Sequence, residues 1–367
     1  MNRESLNSKL AEAYDHALKL CELQKQDEWM TYAKEEIARY RDGAALEQYP
    51  KFKQYASYIE DNAVLDVGCK YGHLSPIFVS HGARKIICMD VIPEYIDIGK
   101  KLFSNESNSI SFLLADGPFL PIEPETVGFV YMNEVISHIN PMYLDTMLAE
   151  IGRILRPDAA ILISDGNNLL NEYSRKTLLN LYRCWEQAEP GTQTDRDVVT
   201  ESFASRRKKQ IALYAPELPS SELELLAKNT SGLWGEHLKS AIDNYTKTKA
   251  LIHRPYRSAT CPTAPEAGGA VMERGFYPEQ IIMSLWNQGL SAWEIRSSPT
   301  SKGWRGFIKR FCYHILPILE RIVWIIRQRL SSPVMQVIAV KPGQIGEEIP
   351  PGTSSVKGGW NNWLAPL

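Results

Sequence analysis

The segment Ala63-Val64-Leu65-Asp66-Val67-Gly68-Cys69-Lys70-Tyr71-Gly72 carries an apolar run into a turn of the form D-x-G-x-x-x-G. Glycines at such a turn let a backbone come close to a ligand. The spacing departs from the dinucleotide fingerprint G-x-G-x-x-G, because Lys70 stands two residues after Gly68. An acid just ahead of Gly68 repels a pyrophosphate and suits a ligand that brings a cation to the turn. Later apolar runs end in Asp90 and in Ala115-Asp116-Gly117, and another leads into Asn133-Glu134-Val135-Ile136-Ser137-His138. A carboxylate about 20 residues past a glycine turn can accept hydrogen bonds from both hydroxyls of a ribose. Asp116, on the same rim, is within reach of an adenine amino group. If the segment after Asn133 is helical, Glu134 and His138 share one face. The carboxylate then orients the imidazole, and His138 takes a proton from a hydroxyl nucleophile.

Alternating elements must position these residues. Ala63–Val67, Lys85–Met89, Ile110–Leu114, Gly128–Met132 and Ala159–Ser164 read as short apolar strands. Helical patterns at His73–His81, Pro93–Phe103 and Pro141–Leu155 lie between them. Such alternation predicts right-handed βαβ units and a parallel sheet. Ahead of the sheet, Ser5–Gln26 and Asp27–Ala45 have helical spacing. After Asp165 the alternation stops. Asn167–Glu186 and Pro219–Lys249 read as helices, and Arg206-Arg207-Lys208-Lys209 reads as a solvated face. Tyr245 and Lys249 have a dehydrogenase-like spacing, read as coincidence because no dinucleotide turn lies upstream. A helix at Tyr277–Gly289 and strands at Ser291–Ser297 and Pro333–Val340 follow.

The chain has 367 residues and a formal net charge of −2. That length suggests about two domains and a large core. The near-neutral balance excludes a general polyanion binder, so no nucleic-acid partner is expected. The cysteines form no C-x-x-C pair and the histidines no cluster, so no metal and a reducing, cytoplasmic location are expected. The N-terminus has no apolar signal core and no stretch spans a membrane. Lys302–Leu330 carries seven basic residues and one acid. Its apolar residues, Ile308 to Ile326, fall on one helical face. It therefore either covers the sheet or lies in a membrane interface.

Between Ala63 and Asp165 the chain resembles the class I S-adenosylmethionine-dependent methyltransferases, within their broad small-molecule, lipid and glycan group. VLDVGCKYG looks like the family's first motif and KIICMDV is similar to its second. LLADGPFLPIEPETVGFVYMNEVISHI resembles the third motif and fourth strand. EIGRILRPDAAILISD resembles the fifth strand with its preceding helix, and ERGFYPEQIIMSLWNQGL a late helix. The resemblance implies an α/β fold: a Rossmann-like, doubly wound, seven-stranded and mostly parallel sheet, with N-terminal helices and a helical cap insertion. It implies S-adenosyl-L-methionine as cofactor, held by Asp66, Gly68, Cys69, Gly72, Asp90, Val91, Ala115, Asp116, Gly117 and Asn133. Asp66, Gly68 and Gly72 take the methionine end, Asp90 the ribose and Asp116 the adenine. Lys70, Gly128 and Asp158-Ala159-Ala160 depart from the family pattern. Lys70 adds a cation near a cationic ligand, and the other two read as surface variation.

These readings divide the chain into an N-terminal helical segment (1–60), a cofactor-binding core (61–165), a cap (166–275), a return to the core (276–342) and an irregular tail (343–367). The expected activity is methyl transfer to a hydroxyl of a small molecule, glycan or lipid-linked precursor, with His138 and Glu134 as catalytic residues. Peripheral membrane contact through 302–330 is an accompanying expectation, and the oligomeric state is left open. The alternative is a non-catalytic binding or scaffold module, for which Lys70 speaks. A nicotinamide-dependent dehydrogenase is the third reading, disfavoured by the missing glycine fingerprint.

Overall fold

A computed structural model describes residues 3–23, 28–39, 41, 50–115, 117–194, 198–251, 265, 273–295 and 331–343. The first helices are α1 (Arg3–Glu22), α2 (Glu28–Arg39) and α3 (Ala56–Ile59). The sheet begins with β1 (Ala63–Val67), α4 (Ser75–Ser80), β2 (Lys85–Asp90), α5 (Pro93–Leu102) and β3 (Ile110–Leu114). It continues with β4 (Val127–Asn133), α6 (Pro141–Ile154) and β5 (Leu155–Asp165). A group of helices follows: α7 (Glu172–Gln187), α8 (Phe203–Tyr214), α9 (Ser220–Asn229) and α10 (Gly235–Thr248), with the short pair β6 (Thr192–Gln193) and β7 (Val198–Val199). The chain closes the sheet with α11 (Pro278–Asn287), β8 (Ser291–Glu294) and β9 (Met335–Val340).

The large sheet has seven strands in the order β3-β2-β1-β4-β5-β9-β8. Strands β1 to β5 are mutually parallel, while β9 runs antiparallel to both β5 and β8. The winding reverses between β1 and β4. In open α/β sheets ligands bind beyond the carboxyl ends of the strands at such a reversal. Both faces of the sheet are covered, so its strands are apolar without alternation. Val64, Ile86, Cys88, Phe129, Tyr131 and Leu162 face a core with α1, α3, α4 and α5. Leu65, Val67, Val130, Met132 and Ile163 face α6 and α11.

The seven-stranded sheet, N-terminal helices and helices after β5 match the expected architecture. Three local readings change. Pro219–Lys249 is two helices, separated by a turn in which Gly232 has φ 87°. The basic run is not a solvated face throughout, for Arg207 is fully buried. Its Nε donates to the Ala227 carbonyl at 2.8 Å and its guanidinium pairs with Glu186. A buried guanidinium is tolerated only when paired in this way. Gly128 is buried rather than a surface variation: an added Cβ would lie 2.5 Å from Asn62 Cβ. Residues 302–330 lie outside the described residues, as do most of the tail and Asp116. Among the described residues no helix is long and apolar enough to cross a membrane.

Close packing of helix on strand fixes the height of the rim. Gly99 of α5 has no side chain because Phe112 of β3 fills the space: a Cβ there would sit 2.2 Å from the ring. That ring stacks on Phe103 at 6.1 Å. Gly99→Ala should therefore lower unfolding free energy by about 1–3 kcal/mol through overpacking, outweighing the roughly 1 kcal/mol that helix propensity favours. Urea unfolding checks this, and a raised midpoint would contradict the packing.

Candidate functional site

The turn after β1 satisfies its own backbone. The N–H groups of Gly68 and Cys69 donate to the Met89 carbonyl at 2.8 and 3.0 Å. Lys70 N–H donates to Asp90 Oδ2 at 2.8 Å, and Gly72 N–H to the Cys69 carbonyl at 2.9 Å. A phosphate cradle needs free N–H groups at such a turn; these four are already engaged. Gly68 and Gly72 adopt φ 69° and 78°, which favours glycine. Protein side chains crowd both positions. A Cβ on Gly68 would lie 2.2 Å from Val135 Cγ2, and one on Gly72 2.9 Å from the Phe112 ring. The glycines let protein side chains approach the turn. Cys69 is likewise fully buried, its Sγ 3.3 Å from the Lys70 carbonyl.

Lys70 takes a left-handed backbone, φ 54°, which is uncommon for a residue with a side chain. Its ammonium turns outward to Glu36 of α2 at 2.5 Å. The N-terminal helices thus neutralise the cation that departs from the family pattern. They also clasp the next loop, where Tyr14 Oη of α1 donates to the His73 carbonyl at 3.0 Å.

Two carboxylates remain beneath and beside the turn. Asp66 is almost fully buried in the middle of the sheet, and among the described residues its Oδ2 has no hydrogen-bond partner. Burial, reinforced by Asp90, pushes its pKa up to about 8. Asp90 ends β2; its Oδ2 accepts the Lys70 N–H and its Oδ1, at 3.0 Å, the Ile92 N–H, with the Val91 N–H as a further backbone partner. Burial raises its pKa also. A carboxylate offers about four acceptor positions, so room remains for a further donor. Val91 beside it is exposed, Ala115 is half-buried with its N–H on the Asp90 carbonyl at 3.1 Å, and Gly117 has open space around its Cα.

On the other side of the reversal, Asn133 and Glu134 are exposed at the end of β4. Glu134 has φ 53° and precedes the short 3-10 turn Ile136–His138. The expected α-helical face shared by Glu134 and His138 therefore does not form. Glu134 Oε2 instead accepts the Gly166 N–H at 3.0 Å. His138 is exposed at the end of that turn. Asp165, which ends β5, was not among the expected site residues. It is fully buried, accepts N–H groups from Ser137 and Asn167, and is pushed upward in pKa by burial and by Glu134. The strand-end rule that singles out Asp90 applies equally to it. Lys51 is a second omission, with no signal in spacing: its Nζ lies 2.8 Å from Tyr131 Oη, across 80 residues of sequence. Tyr245 and Lys249 sit in the helical segment after β5, where Lys249 pairs with Glu222 at 2.6 Å.

A carboxyl raised by burial holds, in the folded state, a proton that the unfolded chain releases. Asp66 therefore contributes stability below pH 4, and this contribution is lost as pH rises to about 8. Asp66→Asn should flatten this fall. Urea unfolding of the ligand-free protein at pH 4 to 8.5 checks it, and parallel curves for the two proteins would contradict the buried, unpartnered state.

Residues 64–158 match a family model described as a methyltransferase domain. No curated protein matches the chain. Among solved structures, the chain is similar to an S-adenosylmethionine-dependent methyltransferase from Archaeoglobus fulgidus, at 12% identity, 86% coverage of this chain, 100% of that one and a TM-score of 0.44. A counterpart from Mesorhizobium loti aligns at 12% identity over 82% of this chain and 99% of its own, with a TM-score of 0.42. A Pyrococcus horikoshii OT3 protein is 20% identical over 37% of this chain, which spans 60% of that protein's length, with a TM-score of 0.32. At such values the fold stands on the strand order itself. The unpartnered Asp66 and the open oxygens of Asp90 suit a ligand with an ammonium and a ribose, while the engaged turn does not suit a pyrophosphate. Residues 64–158 are thus similar to a methyltransferase domain, set on the strand order described above.

Proposed function

We propose that the protein methylates a hydroxyl group on a small molecule, a glycan or a lipid-linked precursor, in the cytoplasm. The observation that carries the reading is the carboxylate pair Asp66–Asp90 beneath a turn whose N–H groups are engaged. Such a site prefers a cationic, phosphate-free ligand. When bound, S-adenosylmethionine supplies a methyl group already activated by a sulfonium.

The chain's own residues then have three tasks. Asp66 would face the ammonium of the methionine end, and Asp90 would accept both ribose hydroxyls. Val91, Ala115 and Gly117 would leave an apolar, open slot for the base, with Asp116 as its polar edge and Asn133 at the methionine side. Orientation of two reactants in this way is worth roughly 7–11 kcal/mol of barrier. Removal of the hydroxyl proton adds perhaps 10²–10⁴-fold. Groups for that task stand at the ends of β4 and β5: Glu134 acts electrostatically on Asp165, and His138 follows at the exposed end of the 3-10 turn after β4. This placement favours a hydroxyl acceptor, whose proton must leave, over one that already carries a lone pair free of a proton.

The orientation of Lys70 bears on the scaffold reading. Its ammonium is held by Glu36, so the charge that spoke for a non-catalytic module is compensated. Peripheral membrane contact by 302–330 stays part of the proposal for a lipid-linked acceptor, argued from its basic, amphipathic sequence alone.

Asp90→Ala should weaken S-adenosylmethionine binding more than tenfold, as one charged partner for two hydroxyls is lost. Titration calorimetry reads it, and unchanged affinity would reject the ribose assignment. Labelled cofactor offered with aqueous and lipid fractions of a cell extract tests the acceptor class: label in a base-stable ether of a hydroxyl compound is expected, and label confined to amines would contradict it.

A further inference from the structure

Lys51, from the N-terminal segment, is brought by the fold to β4 near the strand reversal, where the proposed function gives it no role. It stands on helical residues 50–53, just ahead of α3. Its Nζ lies 2.8 Å from Tyr131 Oη and 5.0 Å from the centre of that ring, with the Phe52 ring at 5.9 Å. Tyr131 pairs in register with Asp66 on β1 and with Leu162 on β5. It shares the sheet face of Val64, Cys88 and Leu162. Lys51 therefore reaches the strand that flanks the reversal, beside the row that holds Asp66 and three residues before Glu134.

We propose that Lys51, rather than His138, takes the proton of the acceptor hydroxyl. The inference rests on the methyltransferase reading above and assigns its proton acceptor. In the step, the acceptor's O–H bond breaks, an N–H bond forms on the neutral Lys51 amine, and the electron pair stays on the acceptor oxygen. The new ammonium is held by Tyr131 Oη and by the field of Glu134. The charged and titratable groups facing Lys51 are Glu134 at the strand end and Tyr131 on the strand, with Asp165 behind Glu134 on β5. Burial lowers the Lys51 pKa to about 8 while Glu134 opposes the shift, so a useful share of neutral amine exists near neutrality. An exposed lysine, by contrast, holds its proton up to about pH 10.4.

The test needs no acceptor. Trace acetic anhydride labels only neutral amines, so peptide mass spectrometry across pH 6–11 gives the titration midpoint of Lys51, with exposed Lys53 as internal reference. The full-length protein is labelled alone, saturated with S-adenosylmethionine, and saturated with S-adenosylhomocysteine, which lacks the methyl group and its positive charge. In the free protein a Lys51 midpoint near 8 is expected, and Glu134→Gln should lower it. If Lys51 faces the transfer position, the sulfonium should lower the midpoint by about half a unit or more relative to S-adenosylhomocysteine, since a like charge disfavours the ammonium. A Lys53 midpoint equal in both complexes completes the expected result. Equal Lys51 midpoints in the two complexes would overturn the proposal while leaving the cofactor assignment intact. Failure of both nucleosides to bind would overturn the methyltransferase reading and this inference with it.

Discussion

A carboxylate buried in the centre of a sheet with an oxygen left unpartnered is unfavourable to folding by a few kcal/mol in typical measurements. Asp66 is held in that condition. A backbone N–H from the adjacent turn would relieve it. Instead those N–H groups are turned to the Met89 carbonyl and to Asp90. The protein thus keeps one buried acceptor in reserve beside a second carboxylate. Under the proposed function that acceptor would meet a cation and Asp90 a pair of hydroxyls, while the N–H groups of the turn are already engaged within the protein.

The arrangement depends on elements outside the sheet. A left-handed Lys70 sets the Lys70 N–H against Asp90, and this conformation is secured by the side chain's ion pair with Glu36 on α2. The clasp from Tyr14 to the His73 carbonyl fixes the following loop. Val135, from beyond β4, fills the space that Gly68 leaves. The turn is therefore shaped from three directions, by N-terminal helices, by β2 and by the segment after β4. A change in any of them reaches the carboxylates.

The core of the fold was legible because its strands are short apolar runs that end in Gly or Asp, and this pattern is local. Asp90 and Asn133 could be placed for the same reason. The purpose of Gly68 was not legible. A glycine with positive φ looks alike in sequence whether it admits a ligand or a valine from 67 residues further on, and only the packing with Val135 separates the two. Arg207 was misread because a basic run normally faces water; its burial depends on Glu186, on another helix, supplying the opposite charge. The helical relation of Glu134 to His138 failed because Glu134 turns left-handed to set its carboxylate on the Gly166 N–H. Lys51 and Tyr131 meet across 80 residues, and no periodicity carries that information.

Under the proposed function Asp66, protonated near neutrality, would receive the ammonium of the cofactor. Titration calorimetry of S-adenosylmethionine at pH 7, in phosphate and in Tris, measures protons exchanged on binding. Release of about one proton per cofactor bound is expected, because the incoming cation returns Asp66 to its ionised form, and Asp66→Asn should lose that release. Binding with no dependence on the buffer, or no binding at millimolar ligand, would contradict it.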